Sequence, residues 1–353
     1  MNVQSVKETM QTWVADNASR YPHLCAAHLV GSITTMAEEM PFPDDKDVDL
    51  HLIFAPDSPA LANDGPFSNN LEFLHEGLMV EGGLKPMTEY CDAEAVLANP
   101  EIAYHLTRAS ILYDPQGWLT AMQPQIKREY KHRCWVQARV AHERRGWEQV
   151  AALYKMIPEA AILTRTQLMG YGFTYLSALL CVATLQAPTA SFVKMGEVLA
   201  AYDRLDLYEA YLALFGLDRA TPELTRHLLQ EGGEAFDLAV QIRQTPHPFQ
   251  HKLHAHLRPY FVNKCQRLLD SGYPREALSW VAPFYLSSCE VIRADGTAAQ
   301  KEFYAKRADH FLQGMGIKSV ADQQSKWAES RRLGEVIFSL ADEIVATHPD
   351  IVA

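Results

Sequence analysis

The sequence predicts two architectures in succession. Residues 1–118 read as an α/β domain with a mixed sheet and helices, and 119–353 as an all-α helical bundle, with a break near 216–250 if it forms two subdomains. Three observations carry this. Residues 47–54, Asp-Val-Asp-Leu-His-Leu-Ile-Phe, set Val48, Leu50, Leu52 and Phe54 on one side and Asp47, Asp49 and His51 on the other, the period of a strand with one buried face. Short apolar runs of strand length recur as far as Ser110–Tyr113, and beyond about residue 118 long helical periodicities replace them. That second stretch is punctuated by Pro158, Pro188, Gly216, Pro222, Gly232-Gly233, Pro246, Pro248, Gly272-Tyr273-Pro274 and Gly296, spacings that suit about eight to ten helices.

In chain order, Val6, Met10, Trp13 and Val14 recur at helical spacing, which predicts a helix over about 4–19 before Pro22. Leu24–Val30 is an apolar run of strand length that ends at Gly31-Ser32. After the alternating strand, the Gly-, Pro- and Asn-rich stretch 57–70 reads as a surface loop. Two short strands are expected at about 71–76 and 78–86, a helix near 92–107, and a strand at Ser110–Tyr113 closed by Asp114-Pro115. In the helical region, Thr221-Pro222-Glu223 is a helix start with Thr as N-cap and Pro in the first turn. Tyr211, Leu214 and Phe215 before Gly216 read as the buried end of a helix with its glycine cap.

Composition narrows the function classes. At 48% hydrophobic and 21% charged residues, the chain is one that buries a sizeable core. Its 32 basic and 43 acidic side chains give a net charge of −11, which argues against a nucleic-acid partner and suits a neutral or cationic small substrate. The six cysteines form no C-x-x-C pair and read as scattered core thiols. The start MNVQSVKETMQTW has no basic stretch followed by an apolar one, and the most apolar run, Phe173–Leu185, is too short to span a bilayer. These features predict a cytoplasmic protein with no membrane partner.

The chemistry-bearing residues cluster early. Two residues apart on one strand face, Asp47 and Asp49 can hold Mg²⁺ between their carboxylates, and bringing two like charges together is costly without such a cation. Gly31 lets backbone approach a phosphate closely, and the Ser32 hydroxyl and neighbouring N–H groups can bind it. In Leu78-Met79-Val80-Glu81-Gly82-Gly83-Leu84-Lys85, Glu81 and Lys85 share a strand face, and Gly82-Gly83 in a strand interior suggests a bulge or a close ligand approach.

His28-Leu29-Val30-Gly31-Ser32, a spacer, then Asp47-Val48-Asp49-Leu50 resembles the signature of the DNA polymerase β-like nucleotidyltransferases, nearest to the kanamycin- and streptomycin-type aminoglycoside adenylyltransferases. The spacer, Ile33–Lys46, is long for that signature. The stretch from Val96 to Pro115, ending in Leu112-Tyr113-Asp114, resembles the tail of such domains, so the likeness covers about 22–118. It implies a polymerase β-like sheet, Mg²⁺ on Asp47 and Asp49, and ATP or another NTP as co-substrate with Gly31, Ser32 and Lys85 as nucleotide-binding residues. It also implies Glu81 as the general base, with Glu76 and Glu72 as rivals for that place. The reaction implied is transfer of an NMP, AMP from ATP first, to a hydroxyl of a small acceptor such as an aminoglycoside antibiotic. The alternatives are a transferase acting on protein or tRNA, or a non-catalytic module of toxin–antitoxin or regulatory type; the Arg-x₄-His ribonuclease spacing that often accompanies the latter does not occur here.

Other groupings weigh less. His247, His251, His254 and His256 read as a solvated or loop cluster, since Pro246 and Pro248 break their helical face. Arg128, His132, Trp135 and Arg139 fall on one face of an expected helix over 120–147 and read as a solvated basic stripe.

Overall fold

Strand formation in this chain follows its apolar alternation, and the computed structural model shows what each face buries. The structure describes residues 1–43, 46–61, 70–108, 110–154, 162–187, 192–247 and 252–353. The middle of the expected loop at 57–70 lies outside these residues, as do Pro158, Pro188, Pro248 and His251. Strands β1 (Leu24–Leu29), β2 (Val48–Phe54), β3 (Asn70–His75), β4 (Leu78–Pro86) and β5 (Ile111–Tyr113) form one mixed sheet in the order β3-β4-β2-β1-β5. The pairs β1/β2, β1/β5 and β3/β4 are antiparallel, and β2/β4 is parallel.

One sheet face is a continuous apolar surface. Val48, Leu50, Leu52 and Phe54 join Ala27, Leu29 and Val80 in a core with Val3, Val6, Met10 and Val14 of helix α1 (Val3–Asn17). Asn2 starts that helix by accepting a hydrogen bond from the Ser5 amide. Fully burying each such side chain contributes roughly 1.5–3 kcal/mol before chain entropy is counted. On the other face, Ala26 and Ile53 meet Val96, Leu97, Ile102, Leu106, Leu119 and Ile126. These come from α2 (Ala93–Ala98), α3 (Pro100–Arg108) and α4 (Trp118–Glu129).

Two expected helices are each broken in two. Within 92–107, Pro100 lacks an N–H and bars helical geometry before it, so Asn99 is extended at ψ 118°. The Asn99 side chain then accepts from the amides of Glu101 and Ile102 and starts α3 afresh. Within 120–147, α4 ends at Glu129, and α5 (Arg133–Tyr154) begins after a turn in which the His132 amide donates to the Glu129 carbonyl. That turn is pinned by the chain's end: Arg133 N–H donates to the Val352 carbonyl, and Val352 N–H to the Lys131 carbonyl.

The break undoes the basic stripe. Arg128 is an exposed partner of Glu129, Trp135 packs on the apolar core, and Arg139 is 1% exposed. The Arg139 guanidinium lies over the Tyr130 ring and donates to the carbonyls of Leu97 and Tyr130, at the C-terminal ends of α2 and α4. Helix C-termini carry partial negative charge, so a cation there is stabilised without a carboxylate.

By its internal contacts the chain divides into two compact units, 1–139 with 349–353, and 140–348. The end of strand periodicity near 118 therefore marks where the sheet stops, while α4 and the start of α5 belong with it. The second unit is helical among the described residues: the rest of α5, then α6 (Ile162–Thr184), α7 (Phe192–Ala201), α8 (Leu205–Leu214), α9 (Pro222–Ile242), α10 (Arg258–Asp270), α11 (Pro274–Asp295), α12 (Ala298–Gly314) and α13 (Val320–Thr347). Helix α11 is its axis, buried along most of its length and packed on α6, α9, α10 and α12. Gly216 closes α8 at φ 68°, and Thr221 caps α9 by accepting from the Leu224 amide. No helix among the described residues is long and apolar enough to cross a membrane.

Candidate functional site

The parallel pairing of β2 with β4 builds the site, because it sets Asp49 directly beside Glu81. Asp47, just before β2, projects to the same face as Asp49. Asp47, Asp49 and Glu81 each offer an oxygen such that the three atoms lie within 4.8 Å of one another, and all three residues are half-buried. Ionised carboxylates at that separation repel by roughly 3 kcal/mol per pair at an effective dielectric of 20. A divalent cation removes that repulsion. Mg²⁺ with ligands at ~2.1 Å spans ~4.2 Å between opposite oxygens, so Asp47 and Asp49 need little adjustment to hold one beside Glu81. Of the rival carboxylates, Glu72 is the cross-strand partner of Glu81 on the same sheet face, one strand further from Asp49, and Glu76 lies away in the turn between β3 and β4 at φ 49°.

Gly31 closes the site from the next strand. It follows β1 at φ 67° and ψ −158°, a region only glycine occupies readily. A Cβ there would lie 1.8 Å from Asp49 Oδ2. The Gly31 backbone thus rests against the Asp49 carboxylate, and Val30 N–H donates to the Asp49 carbonyl at 3.0 Å. Ser32 begins a single 3-10 turn, Ser32–Thr34, held by the Thr34 hydroxyl donating to the Gly31 carbonyl.

Below the trio on the same face lies a polar layer that the sequence reading did not assign. His28 Nδ1–H donates to the Leu29 carbonyl at 3.2 Å, which leaves Nε2 to accept from the Tyr90 hydroxyl at 3.1 Å. The Tyr90 oxygen in turn accepts from His51 Nδ1–H at 2.9 Å. His51 Nε2 faces Glu101 Oε1 at 3.5 Å, and Lys85 Nζ lies 3.7 Å from Glu101 Oε2. Burial holds His28 well below the usual histidine range, with His51 adding to it, and raises the Tyr90 hydroxyl. Burial would raise Glu101, but the His51 hydrogen bond and charge, with Lys85 and His105, bring it well below the usual carboxylate range.

Gly82 and Gly83 make no bulge, since the β2/β4 register runs unbroken from Val48/Val80 to Phe54/Pro86. Their role is close approach by the protein's own side chains. A Cβ on Gly82 would meet Leu71 at 3.1 Å; one on Gly83 would meet the His51 ring at 3.2 Å and Lys85 Cε at 3.4 Å. The other histidine cluster is not assembled as a site: His254 and His256 stack at 5.3 Å in the helical unit, and among the described residues the trio alone brings three metal-ligating side chains together.

His105 provides a pH test. It is 6% exposed, and among the described residues its Nδ1 has no hydrogen-bond partner. Burial brings it down to about 4, against an upward pull from Glu101 and with a further lowering by His51. The folded protein therefore keeps His105 neutral where the unfolded chain, titrating near 6.5, takes up a proton. This contribution is fully present above pH 6.5 and is lost as pH falls toward 4, by at most roughly 3 kcal/mol. The Tm of the His105→Gln protein should fall less steeply over that window than wild type; equal slopes would remove His105 from the acid sensitivity.

No protein-family model matches the chain, and no curated protein matches it. Among solved structures, a nucleotidyltransferase-like protein from Exiguobacterium sibiricum 255-15 is 13% identical, with 88% of this chain and 92% of that one covered and a TM-score of 0.29. A likeness that distant carries no argument about chemistry.

Proposed function

We propose that the chain is a Mg²⁺-dependent nucleotidyltransferase that moves an NMP from an NTP, ATP first, to a hydroxyl group of a small acceptor. The observation that carries this reading is the convergence of Asp47, Asp49 and Glu81 on one sheet face, closed by a Gly31-Ser32 turn whose glycine rests on Asp49. Asp47 and Asp49 would hold Mg²⁺, which supplies charge neutralisation at the transferring phosphate. Gly31 and Ser32 meet the phosphates from the β1 side, and Lys85 contributes a cation from β4. Glu81 takes the acceptor hydroxyl proton as the acceptor oxygen bonds to the α-phosphorus and the bond from that phosphorus to the bridging oxygen breaks, releasing pyrophosphate. The net charge of −11 favours a cationic acceptor of aminoglycoside type.

The test is transfer of label from the four α-³²P NTPs, with Mg²⁺, to a panel of aminoglycosides and other polyols, tRNA and protein. Label should move to a small hydroxyl acceptor and not move with EDTA present. NTP binding without transfer to any acceptor class would leave a non-catalytic nucleotide-binding module in its place.

A further inference from the structure

Lys85 is four residues beyond Glu81 on β4, too far along the strand to act beside the trio unless its side chain is turned back. The structure supplies that turn. Lys85 Cε lies 3.4 Å from where a Gly83 Cβ would stand, so the side chain runs back along β4 over Gly83 toward Glu81. Glu101 stands on the far side of that path, its backbone amide fixed by Asn99 and one carboxylate oxygen facing each of Lys85 and His51. His51 is itself fixed by Tyr90, and Tyr90 by His28.

We infer that Glu101 and Gly83 are positioning residues that aim the Lys85 ammonium at the phosphates of the bound nucleotide. This inference rests on the reading given under Proposed function. The 3.7 Å separation of Lys85 from Glu101 is longer than a hydrogen bond, so Glu101 attracts the ammonium without occupying one of its N–H groups. A phosphate oxygen can then receive a charge-assisted hydrogen bond from a cation already in place. Pre-placement matters because a lysine side chain otherwise loses considerable rotamer freedom on binding. Gly83 acts through His51: a Cβ there would only touch Lys85 Cε, at 3.4 Å, but would crowd the His51 ring at 3.2 Å and so push it against Glu101.

A double-mutant cycle on the full chain tests this, with Mg-ATP affinity as one readout and Mn²⁺ affinity without nucleotide, by electron paramagnetic resonance, as the other. Lys85→Met should weaken Mg-ATP binding by roughly tenfold or more, as expected for a charged hydrogen bond. Glu101→Gln should weaken it comparably, and the double variant should be no worse than Lys85→Met alone, because a lysine that is absent cannot be positioned. Gly83→Ala should behave as Glu101→Gln, and Glu101→Asp should recover part of the loss. Mn²⁺ affinity should stay at the wild-type value in every variant. The inference is overturned if Glu101→Gln binds Mg-ATP as well as or better than wild type, if the two losses multiply, or if Mn²⁺ affinity falls in parallel, since Glu101 would then merely support the sheet face. Wild-type protein that binds Mn²⁺ but none of the four NTPs would instead sink the nucleotidyltransferase reading, and this inference with it.

Discussion

Asp47→Asn and Asp49→Asn should each abolish nucleotidyl transfer, while the protein melts at the wild-type temperature or slightly above it. The two halves of this expectation have one cause. The three carboxylates within 4.8 Å of one another are a liability to the metal-free fold and an asset once Mg²⁺ is bound. Removing one charge relieves the repulsion and takes away a ligand. An ordinary structural aspartate would show the reverse, lower stability and intact chemistry. Titrating Mg-ATP against wild type and both variants, with thermal melts alongside, separates the cases. Equal affinity in all three proteins would refute the metal assignment.

Gly31→Ala should be nearly as damaging to the site and should also destabilise the fold. The added methyl would sit 1.8 Å from Asp49 Oδ2, well inside contact distance, and the backbone at φ 67° and ψ −158° is one that alanine resists. The conformational strain alone costs on the order of 1–3 kcal/mol. Relief requires Asp49 or the turn to move, and either motion spoils the trio. Mn²⁺ affinity should therefore fall sharply together with Tm, whereas Ser32→Ala, which leaves the turn's backbone intact, should spare both. Wild-type Mn²⁺ affinity in Gly31→Ala would mean that this close contact does not hold Asp49 in place.

The features legible in the sequence were those written in strict periodicity or in local stereochemistry. Alternation in 47–54 defined the face shared by Asp47 and Asp49, and it already set His51 beside them. Thr221 before Pro222 and Gly216 after Phe215 are local signals and appear in the structure as helix caps. What escaped is set by partners distant in the chain. Glu101 reaches the polar layer only because Pro100 restarts a helix there, and Tyr90 only because a 3-10 turn, Met87–Tyr90, carries it between two histidines from other strands. Arg139 looked like one of a row of surface cations; its burial depends on the break between α4 and α5, which creates the carbonyls it satisfies. Gly82-Gly83 read as a bulge or a close ligand approach; the unbroken register shows no bulge, and spacing alone could not show that the groups against them are the protein's own Leu71, His51 and Lys85.

The pairing of Val352 with Lys131 and Arg133 has a practical consequence. Residues 349–353 belong to the sheet-bearing unit, with Ile351 buried, although the sequence sets them after the last helix of the other unit. The sheet-bearing unit is therefore a split module, drawn from two stretches of chain with an entire helical unit threaded between them. A shortened version that stops near 118 forfeits Leu119 and Ile126 from its core, and one that stops at 139 still lacks its closing segment. Additions after Ala353 will be felt by the acidic trio's own unit, and so will additions before Met1, whose carbonyl accepts from the Phe42 amide, so an untagged protein is the fair reference for every measurement proposed above.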